Sequence, residues 1–353
     1  MIYKQLSYLP IIFQVDEGIV LGVDEYLRRN KLSFTNILVV SGKNYSNKIG
    51  ALVADKNGWN RYTLEDNTFR EVELLKTYVN RYNIDLLVGV GGGKVIDTVK
   101  RVGYLSNTNN LSIPTIISND GLISPISVIK NELGKTESLP AMMPMGVIID
   151  IDIIKESPVK FLQAAAGDVL ANLSATNDWV LAFQQDRERM NDIAFHLSRS
   201  AVSSLINFDE IHLLSKSFLR LLVQGLVNSG IAMALSGTSR PCSGSEHQIS
   251  HAIDFLEYGE GVLHGTQVGS ISLFSLFLQN KVEAKQMKFA RTVGIPLLFD
   301  GLIRNFSSRR FEEIIDKSRE MRPGRYSILD MLTTNQVMEK YEEFRAFIKS
   351  NNF

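Results

Sequence analysis

Hydrophobic positions in the first 157 residues alternate between short β-branched runs and amphipathic stretches. The β-branched runs predict strands; the amphipathic stretches predict helices, most clearly at 69–82, where Phe69, Val72, Leu75 and Val79 recur at helical spacing. The predicted strands cover 10–15, 36–41, 84–90, 112–117 and 145–149, and the predicted helices cover 19–29, 43–56, 69–82 and 94–105. Strands alternating with helices indicate a largely parallel, Rossmann-like sheet covered on both faces.

After Pro158 the strand-like runs stop and long helical patterns take over. The predicted helices cover 159–183, 190–204, 208–235, 246–256 and 266–278, with further helical pattern to residue 353. Because a proline disfavours helix in the residue before it, the boundary falls at 156–159. We therefore expect an α/β domain over residues 1–157 and an all-helical domain over residues 158–353.

The composition is that of an ordinary globular protein, with 44% hydrophobic residues and nine prolines in 353. The 38 basic residues balance the 38 acidic ones, so neither nucleic acid nor a membrane surface is an expected partner. No run has the roughly 18 consecutive apolar residues of a membrane helix, and the single cysteine fits a reducing compartment. We expect a soluble cytoplasmic protein, in which the charged stretch 309–325 forms a solvated helix face and loop.

Three of the five histidines lie within residues 236–264: His247, His251 and His264. On a helix, His247 and His251 project from one face because they are four residues apart. Two imidazoles leave a catalytic metal one protein ligand short, and Asp168, in a small and apolar helical run, is the best third candidate. A lone buried histidine is usually just hydrogen-bonded, but this clustering favours a metal. The donor types favour zinc, with iron and nickel as alternatives.

A glycine-rich loop, GVGGGKVIDTVK, follows an apolar strand and begins a helix at residues 89–100. In this context backbone N–H groups and a helix N-terminus can hold a pyrophosphate. An ordinary tight turn is an equally good explanation, because α/β proteins need such turns. An ordinary dinucleotide fingerprint is less favoured because the loop follows a mid-domain strand. Asp120, which follows the next strand, can nevertheless pass for the ribose-binding acid of that fingerprint.

Five segments together resemble the sn-glycerol-1-phosphate dehydrogenase branch of the iron-containing alcohol dehydrogenase superfamily, to which the glycerol dehydrogenases are close relatives. They are GVGGGKVID, SNDGLISP, GDVLANLSATNDW, SRPCSGSEHQISHAID and LHGTQVG, in register from about residue 86 to 269. The resemblance implies a dehydroquinate synthase-like fold and a metal-dependent, NAD(P)-linked polyol dehydrogenase that interconverts sn-glycerol 1-phosphate and dihydroxyacetone phosphate. It also implies a homo-oligomer, a dimer or larger.

The resemblance implies a role for each motif residue. It gives Asp168, His247 and His264 to the metal, and Asp120 and His251 to catalysis and proton handling. Substrate contacts fall to Asp120, Asp168 and His251. Contacts to the dinucleotide fall to Gly91, Gly92, Gly93, Lys94, Val95, Thr115, Ser118 and Ser124.

Some residues differ from the family pattern, and others have two possible roles. Glycerol dehydrogenases place an acid after the second strand, whereas this chain has Lys43 nearby, so NADPH is as plausible as NADH. Asn119 and Cys242 replace a histidine and a small alanine; Cys242 is better explained as a small buried residue than as a thiolate ligand. Arg240 suits either a substrate phosphate or a structural salt bridge.

Three other functions stay open at this stage. A glycerol dehydrogenase would act on unphosphorylated glycerol and dihydroxyacetone. A dehydroquinate-synthase-like lyase would restore its nicotinamide cofactor in each turnover, and such lyases typically carry glutamate where Asp168 stands. A binding protein without turnover is the least favoured, because the ligand set is accompanied by His251 and Asp120. Dinucleotide and metal in different domains would meet in an interdomain cleft, a common place for ligand sites.

Overall fold

The computed structural model describes residues 9–351, which form two compact units: residues 9–158 and residues 159–351. In the first unit the strands are β1 (Ile12–Asp16), β2 (Ile37–Ser41), β3 (Asn60–Thr63), β4 (Leu86–Gly91), β5 (Asn109–Pro114), β6 (Ile126–Lys130), β7 (Thr136–Pro140) and β8 (Gly146–Asp150). Its helices are α1 (Val23–Arg29), α2 (Tyr45–Asn57), α3 (Phe69–Arg81), α4 (Gly93–Ser106) and α5 (Ile151–Lys155).

Six of these strands form one parallel sheet in the order β1-β8-β5-β4-β2-β3. Strand β2 shows why both faces are covered. Ile37 and Val39 pack into the hydrophobic cluster that includes α1 and α2, whereas Leu38 and Val40 pack into the cluster with α3 and α4. A strand that is buried on both faces has a continuous run of apolar residues, and the strand at 36–41 was predicted from such a run. The predicted parallel α/β fold is confirmed.

Strands β3, β6 and β7 and the short helix α5 were not predicted. Strand β3 is an edge strand whose residues are mostly exposed and polar, so it lacks an apolar signal. Strands β6 and β7 form a separate antiparallel hairpin. Its turn is held by the Asn131 side chain, which accepts hydrogen bonds from the backbone N–H groups of Leu133 and Lys135, both at 3.0 Å. Asparagine side chains commonly build turns in this way.

The second unit is helical throughout its described residues. Its helices are α6 (Val159–Gln184), α7 (Asp192–Ile206), α8 (Lys216–Ser236), α9 (Ser245–Phe255), α10 (His264–Leu278), α11 (Ala284–Val293), α12 (Ser308–Glu320) and α13 (Thr334–Ser350). The predicted helix 208–235 was wrong in its first part, because α8 begins only after Ser215, whose side chain accepts from the N–H of Phe218. Such an N-cap fixes the start of a helix more firmly than the apolar pattern does.

Helix α8 is long and apolar enough to cross a membrane, but two thirds of its most apolar stretch is buried inside the unit. The C-terminal helices pack through aromatic side chains. Phe274 of α10 contacts Tyr341 and Phe344 of α13 and Phe311 of α12, with ring centroids 5.0 to 6.4 Å apart. Aromatic contacts of this kind bury large apolar areas. They hold α10, whose first residue is His264, against the C-terminal helices.

Candidate metal centre and cofactor loop

Three of the predicted residues come together in the helical unit. Asp168 lies on α6, His247 on α9 and His264 at the first position of α10. One potential ligand atom from each lies within 4.8 Å of the other two, and the Nε2 atoms of the two histidines are 3.3 Å apart. Residues far apart in sequence therefore present one carboxylate and two imidazoles to a single point.

The convergence depends on a direct backbone contact between α6 and α10. A Cβ on Gly167 would lie 2.2 Å from the carbonyl oxygen of Gly265, and a Cβ on Gly269 would lie 2.5 Å from the Cα of Gly167. Both distances are far below any contact that real Cβ atoms make, so only glycine allows this approach. Because Gly167 precedes Asp168 and Gly265 follows His264, the same contact sets the distance between these two side chains.

The orientation of His247 is fixed by Glu246, a buried acid that the sequence analysis missed. His247 Nδ1 lies 2.8 Å from Glu246 Oε1, which also accepts from the N–H of Gly244 at 2.6 Å. Ser174 donates its hydroxyl to Oε2 at 2.6 Å. Burial alone would raise the pKa of Glu246, but the contacts with His247, Ser174 and Gly244 lower it instead. Glu246 thus accepts the Nδ1 proton and leaves Nε2 of His247 to bind a metal, as carboxylates beside metal-bound histidines do.

The donors fit a divalent cation. Burial and the nearby His247 and Arg322 lower the pKa of His264 to about 3, so its imidazole is neutral at physiological pH. The Nε2 atoms of His247 and His264 lie 3.3 Å apart, so their lone pairs can share one cation, and Asp168 supplies a carboxylate at the same point. A divalent metal satisfies all three groups at once. Two nitrogens and one oxygen suit zinc, iron and nickel without discriminating among them.

His251 lies beside this cluster, one helical turn after His247. Its ring centroid is 6.0 Å from those of both His247 and His264, and its Nε2 is 3.0 Å from Nη2 of Arg322. Burial, together with the charge of Arg322, lowers its pKa well below the usual value, so the ring is neutral. Nε2 then accepts from Arg322, which leaves the ring proton on Nδ1.

The prediction that residues 309–325 form a solvated face and loop was wrong at its end. Arg322 contacts His251, as above, and Arg325 donates to the carbonyl of Ser243 at 2.5 Å and to Oγ of Ser239 at 2.8 Å. The side chains of α12 itself follow the expectation, since Arg309 is largely exposed. The sequence Arg-Pro-Gly-Arg after α12 is typical of a turn. This turn directs both arginines away from the solvated face of the helix, which the sequence analysis did not predict.

Arg240 and Cys242, for which two explanations were open, both have structural roles. Arg240 is almost fully buried, and its Nε lies 2.6 Å from a carboxylate oxygen of Glu188, while Nη2 donates to the carbonyl of Tyr326. Cys242 is buried, with Sγ 3.4 Å from the carbonyl of Ser229, and does not belong to the three-residue metal cluster. These contacts give both residues structural partners, although Nη1 of Arg240 is buried without a hydrogen-bond partner among the described residues.

A second buried acid, Asp178, secures the start of α9. Its carboxylate accepts from the N–H of Ser245 at 2.7 Å and from that of Ile328 at 2.9 Å. Burial and the charge of Glu246 raise its pKa to about 6. A carboxylate at the first turn of a helix binds N–H groups that have no partner within the helix. Asp178 therefore ties α9, which carries His247 and His251, to the segment after Arg325.

The predicted cofactor loop lies in the α/β unit, between β4 and α4. Gly92 begins α4 without a side-chain cap. The first N–H groups of such a helix lack intrahelical partners and attract anions. A Cβ on Gly93 would meet nothing within 4 Å, whereas one on Gly91 would lie 2.6 Å from Cγ2 of Val95. Gly91 is therefore required by packing, while the space beside Gly93 is open to a ligand such as a dinucleotide phosphate.

The neighbouring loop carries Thr115, Ser118, Asp120 and Ser124, the other residues expected to meet cofactor or substrate in this unit. Thr115 donates its N–H to the carbonyl of Gly91 at 3.0 Å, which joins the two loops. The buried Lys100 donates to the carbonyls of Gly121, at 2.6 Å, and Ser124, at 3.2 Å. Its ammonium also pairs with Asp97 at 3.0 Å, so Asp97 braces this loop.

Lys43, at the position where a 2′-phosphate was expected to fit, pairs with Glu65 at 2.6 Å on the surface. The pair follows the ends of β2 and β3. Because β3 was not predicted, the sequence analysis did not place Glu65 near Lys43. Surface pairs of this kind are weak, so Lys43 can exchange Glu65 for a phosphate.

Replacing Gly167 by alanine tests the backbone contact between α6 and α10. The added methyl must push these helices apart, and we expect a loss of about 1–3 kcal/mol in the free energy of unfolding together with weaker zinc binding. Thermal unfolding and a competitive chelator titration measure the two effects. Gly225→Ala is the matched control, because its Cβ would lie 3.2 Å from the Val169 side chain and 3.6 Å from the carbonyl oxygen of Ala201, contacts that need only a small shift. Wild-type zinc affinity in Gly167→Ala would show that the contact does not set the metal site.

Replacing Glu246 by glutamine tests the orientation of His247. The amide keeps the shape but loses the charge that holds the Nδ1 proton, so we expect zinc affinity to fall about 10- to 100-fold. Ser174→Ala removes a different hydrogen bond to the same carboxylate and should have a smaller effect. Equal zinc affinities in Glu246→Gln and wild type would contradict this role for Glu246.

Comparison with known proteins agrees with this architecture. Residues 14–158 match the family model described as iron-containing alcohol dehydrogenase. Glycerol-1-phosphate dehydrogenase [NAD(P)+] of Hyperthermus butylicus is 32% identical over 326 residues, which cover 91% of this chain and 92% of the relative. The protein of the same name from Nitrosopumilus maritimus is 34% identical over 275 residues, covering 76% and 74%.

Solved structures show the same fold at low sequence identity. Glycerol dehydrogenase from Schizosaccharomyces pombe has a TM-score of 0.80 at 16% identity, covering 99% of this chain and 94% of its own. A probable glycerol dehydrogenase from Sinorhizobium meliloti 1021 has a TM-score of 0.76 at 22% identity, covering 97% and 98%. With a parallel α/β unit, a helical unit and relatives above 30% identity along nearly the whole length, the chain belongs to the glycerol-1-phosphate dehydrogenase family of the iron-containing alcohol dehydrogenases.

Proposed function

We propose that this protein is an NAD(P)-linked oxidoreductase that interconverts sn-glycerol 1-phosphate and dihydroxyacetone phosphate. The observation that carries the proposal is the cluster of Asp168, His247 and His264 with His251 beside it, in a chain of this family. In the reductive direction, hydride passes from NAD(P)H to the carbonyl carbon and the oxygen takes up a proton. A divalent metal, when bound, supplies a Lewis acid for that oxygen.

The chain's own residues prepare the site. Glu246 holds the Nδ1 proton of His247 and so keeps its Nε2 available to the metal. The Nε2 of His251 accepts from Arg322, so Nδ1 carries the ring proton and can donate a hydrogen bond to a substrate oxygen, the part that we propose for His251. Asp120 is proposed to orient a substrate hydroxyl, and Asp168 to contact both metal and substrate.

The α/β unit is proposed to bind the dinucleotide. Backbone N–H groups at the start of α4 bind the pyrophosphate, and the open space beside Gly93 admits it. The proposed contacts are Gly91, Gly92, Gly93, Lys94, Val95, Thr115, Ser118 and Ser124. Lys43 is proposed to accept the 2′-phosphate of NADPH in exchange for Glu65, which leaves both cofactors acceptable.

Glycerol dehydrogenase is the second candidate. Two solved structures of similar fold carry that name, but their low identity supports the fold alone. The lyase is disfavoured by the family assignment. We further propose a cytoplasmic enzyme, in keeping with a buried α8 and the single free cysteine, and a homo-oligomer of two or more chains.

Gly93→Ala tests the cofactor loop. Because its Cβ meets no protein atom, we expect a wild-type or slightly higher melting temperature, yet NADH affinity at least about tenfold lower, since the methyl occupies the phosphate space. Fluorescence titration of NADH measures the affinity. Gly91→Ala should instead destabilise the fold through the clash with Val95. Unchanged NADH affinity in a folded Gly93→Ala protein would place the phosphates elsewhere.

The proposed activity is tested by following NADH and NADPH absorbance in zinc-loaded protein, with dihydroxyacetone phosphate and dihydroxyacetone offered separately. We expect oxidation with the phosphorylated ketone. Turnover of dihydroxyacetone alone would identify a glycerol dehydrogenase. Oxidation of neither cofactor with either ketone would refute the proposal and reopen the lyase, which causes no net absorbance change.

A further inference from the structure

A tight turn after α12 carries two arginines, Arg322 and Arg325. The proposed reaction gives Arg325 no role, and it gives Arg322 only its contact with His251. In Arg322-Pro323-Gly324-Arg325, the N–H of Arg325 donates to the carbonyl of Arg322 at 3.1 Å, and Gly324 has a φ of +79°. Proline at the second position and glycine with positive φ at the third define a type II turn. The first and last residues of such a turn have Cα atoms within about 7 Å, so the turn pairs the two arginines.

Both side chains reach segments of the helical unit that surround the metal cluster. Arg322 Nη2 lies 3.0 Å from Nε2 of His251, whose ring is 6.0 Å from those of both histidine ligands. Arg325 binds Ser239 and Ser243, in the loop that leads into α9. The turn therefore places the guanidinium of Arg322 beside His251 and that of Arg325 at the loop that leads into α9, the helix that carries His247 and His251.

The charge of Arg325 is not neutralised by direct contact. Among the described residues its hydrogen bonds go to a carbonyl and a hydroxyl, and no carboxylate lies within ion-pair distance of it. By contrast, the nearby Arg240 has Glu188 at 2.6 Å. Burial and the like charges of Arg240 and Arg322 lower the pKa of Arg325 to about 10, although Glu188 and Glu246, which do not contact it, act in the opposite direction. A cation buried in this way beside a metal site is expected to meet an anion that arrives with the substrate.

We propose that Arg322 and Arg325 bind the phosphate group of the substrate, a role that rests on the proposed reduction of a phosphorylated ketone. Guanidinium groups match phosphate oxygens with paired N–H donors, and a guanidinium has five such donors. In dihydroxyacetone phosphate one carbon and one ester oxygen separate the carbonyl carbon from phosphorus. The phosphate of a ketone held at the cluster is thus only a few bonds from its carbonyl, and we assign it to the side of the cluster where His251 and Arg322 lie.

The arginine pair also selects among ketones. A substrate without phosphate leaves Arg325 facing no anion, so the site favours dihydroxyacetone phosphate over dihydroxyacetone. Because Arg322 donates to His251, phosphate bound by this turn also steadies the histidine proposed to handle the proton. Arg240, which the sequence offered as a phosphate ligand, is almost fully buried and its charge is paired with Glu188, so the proposal assigns the phosphate to Arg322 and Arg325.

The test is Arg325→Gln, compared with wild type in kcat/KM for dihydroxyacetone phosphate and for dihydroxyacetone. We expect the ratio of the two values to fall about 10- to 100-fold, and competitive inhibition by inorganic phosphate to weaken in parallel. Arg325→Lys, which keeps a positive charge, should recover part of the ratio. The matched control is Arg240→Gln, a buried arginine of the same neighbourhood, whose structural role predicts an unchanged ratio.

The outcomes separate this proposal from the proposed function. If wild type reduces dihydroxyacetone phosphate but Arg325→Gln keeps the wild-type ratio and phosphate inhibition, the arginine assignment is wrong and the dehydrogenase stands. If wild type reduces neither ketone with either cofactor, the proposed function fails and the arginine assignment fails with it. A fall in the ratio for Arg325→Gln, with the ratio kept in Arg240→Gln, supports both.

Discussion

The close contact between the backbones of α6 and α10 is the constraint on which the site depends. Gly167 and Gly269 meet where no side chain fits, and the residues next to this contact are Asp168 and His264. A larger residue at either glycine separates the helices before it affects any ligand directly. The metal site is therefore a consequence of helix packing: the ligands point to one place because glycines let two helix backbones touch.

Around this contact burial and charge favour the neutral forms of His251 and His264. Burial and Arg322 keep the pKa values of His251 and His264 low, and Glu246 fixes which nitrogen of His247 carries its proton. Neutral imidazoles and a carboxylate are the forms that bind a metal. Arg325 adds a positive charge that no carboxylate contacts directly. Such metal ligands, with the cation Arg325 nearby, suit a substrate that has both an oxygen for the metal and an anionic group.

Much of this arrangement was predictable because the sequence carries it locally. Three features of the site are local patterns in the sequence: the spacing of His247 and His251, the acid Asp168 within a run of small residues, and the glycines after β4. The parallel sheet followed from continuous apolar runs. The edge strand β3 and the first residues of the predicted helix 208–235 were misjudged because exposure and an N-cap decide them, and neither leaves an apolar pattern.

The residues that were missed depend on the tertiary fold. Glu246 acts on its neighbour His247, but it is buried and hydrogen-bonded to Ser174, 72 residues away, and Arg322 contacts His251, 71 residues away. Acids and arginines are common on solvated helices, so only the tertiary fold distinguishes these. Arg240 shows the reverse: its motif suggested a ligand, and burial beside Glu188 shows a structural ion pair.

X-ray absorption of the zinc-loaded protein tests the central claim most directly, because it measures the atoms bound to the metal. We expect one zinc per chain with only nitrogen and oxygen neighbours at about 2.0–2.2 Å, including two imidazoles, and loss of the bound zinc in His264→Ala. A sulfur neighbour at about 2.3 Å, which would come from Cys242 or a methionine, or zinc retained unchanged in His264→Ala, would contradict a centre built from Asp168, His247 and His264.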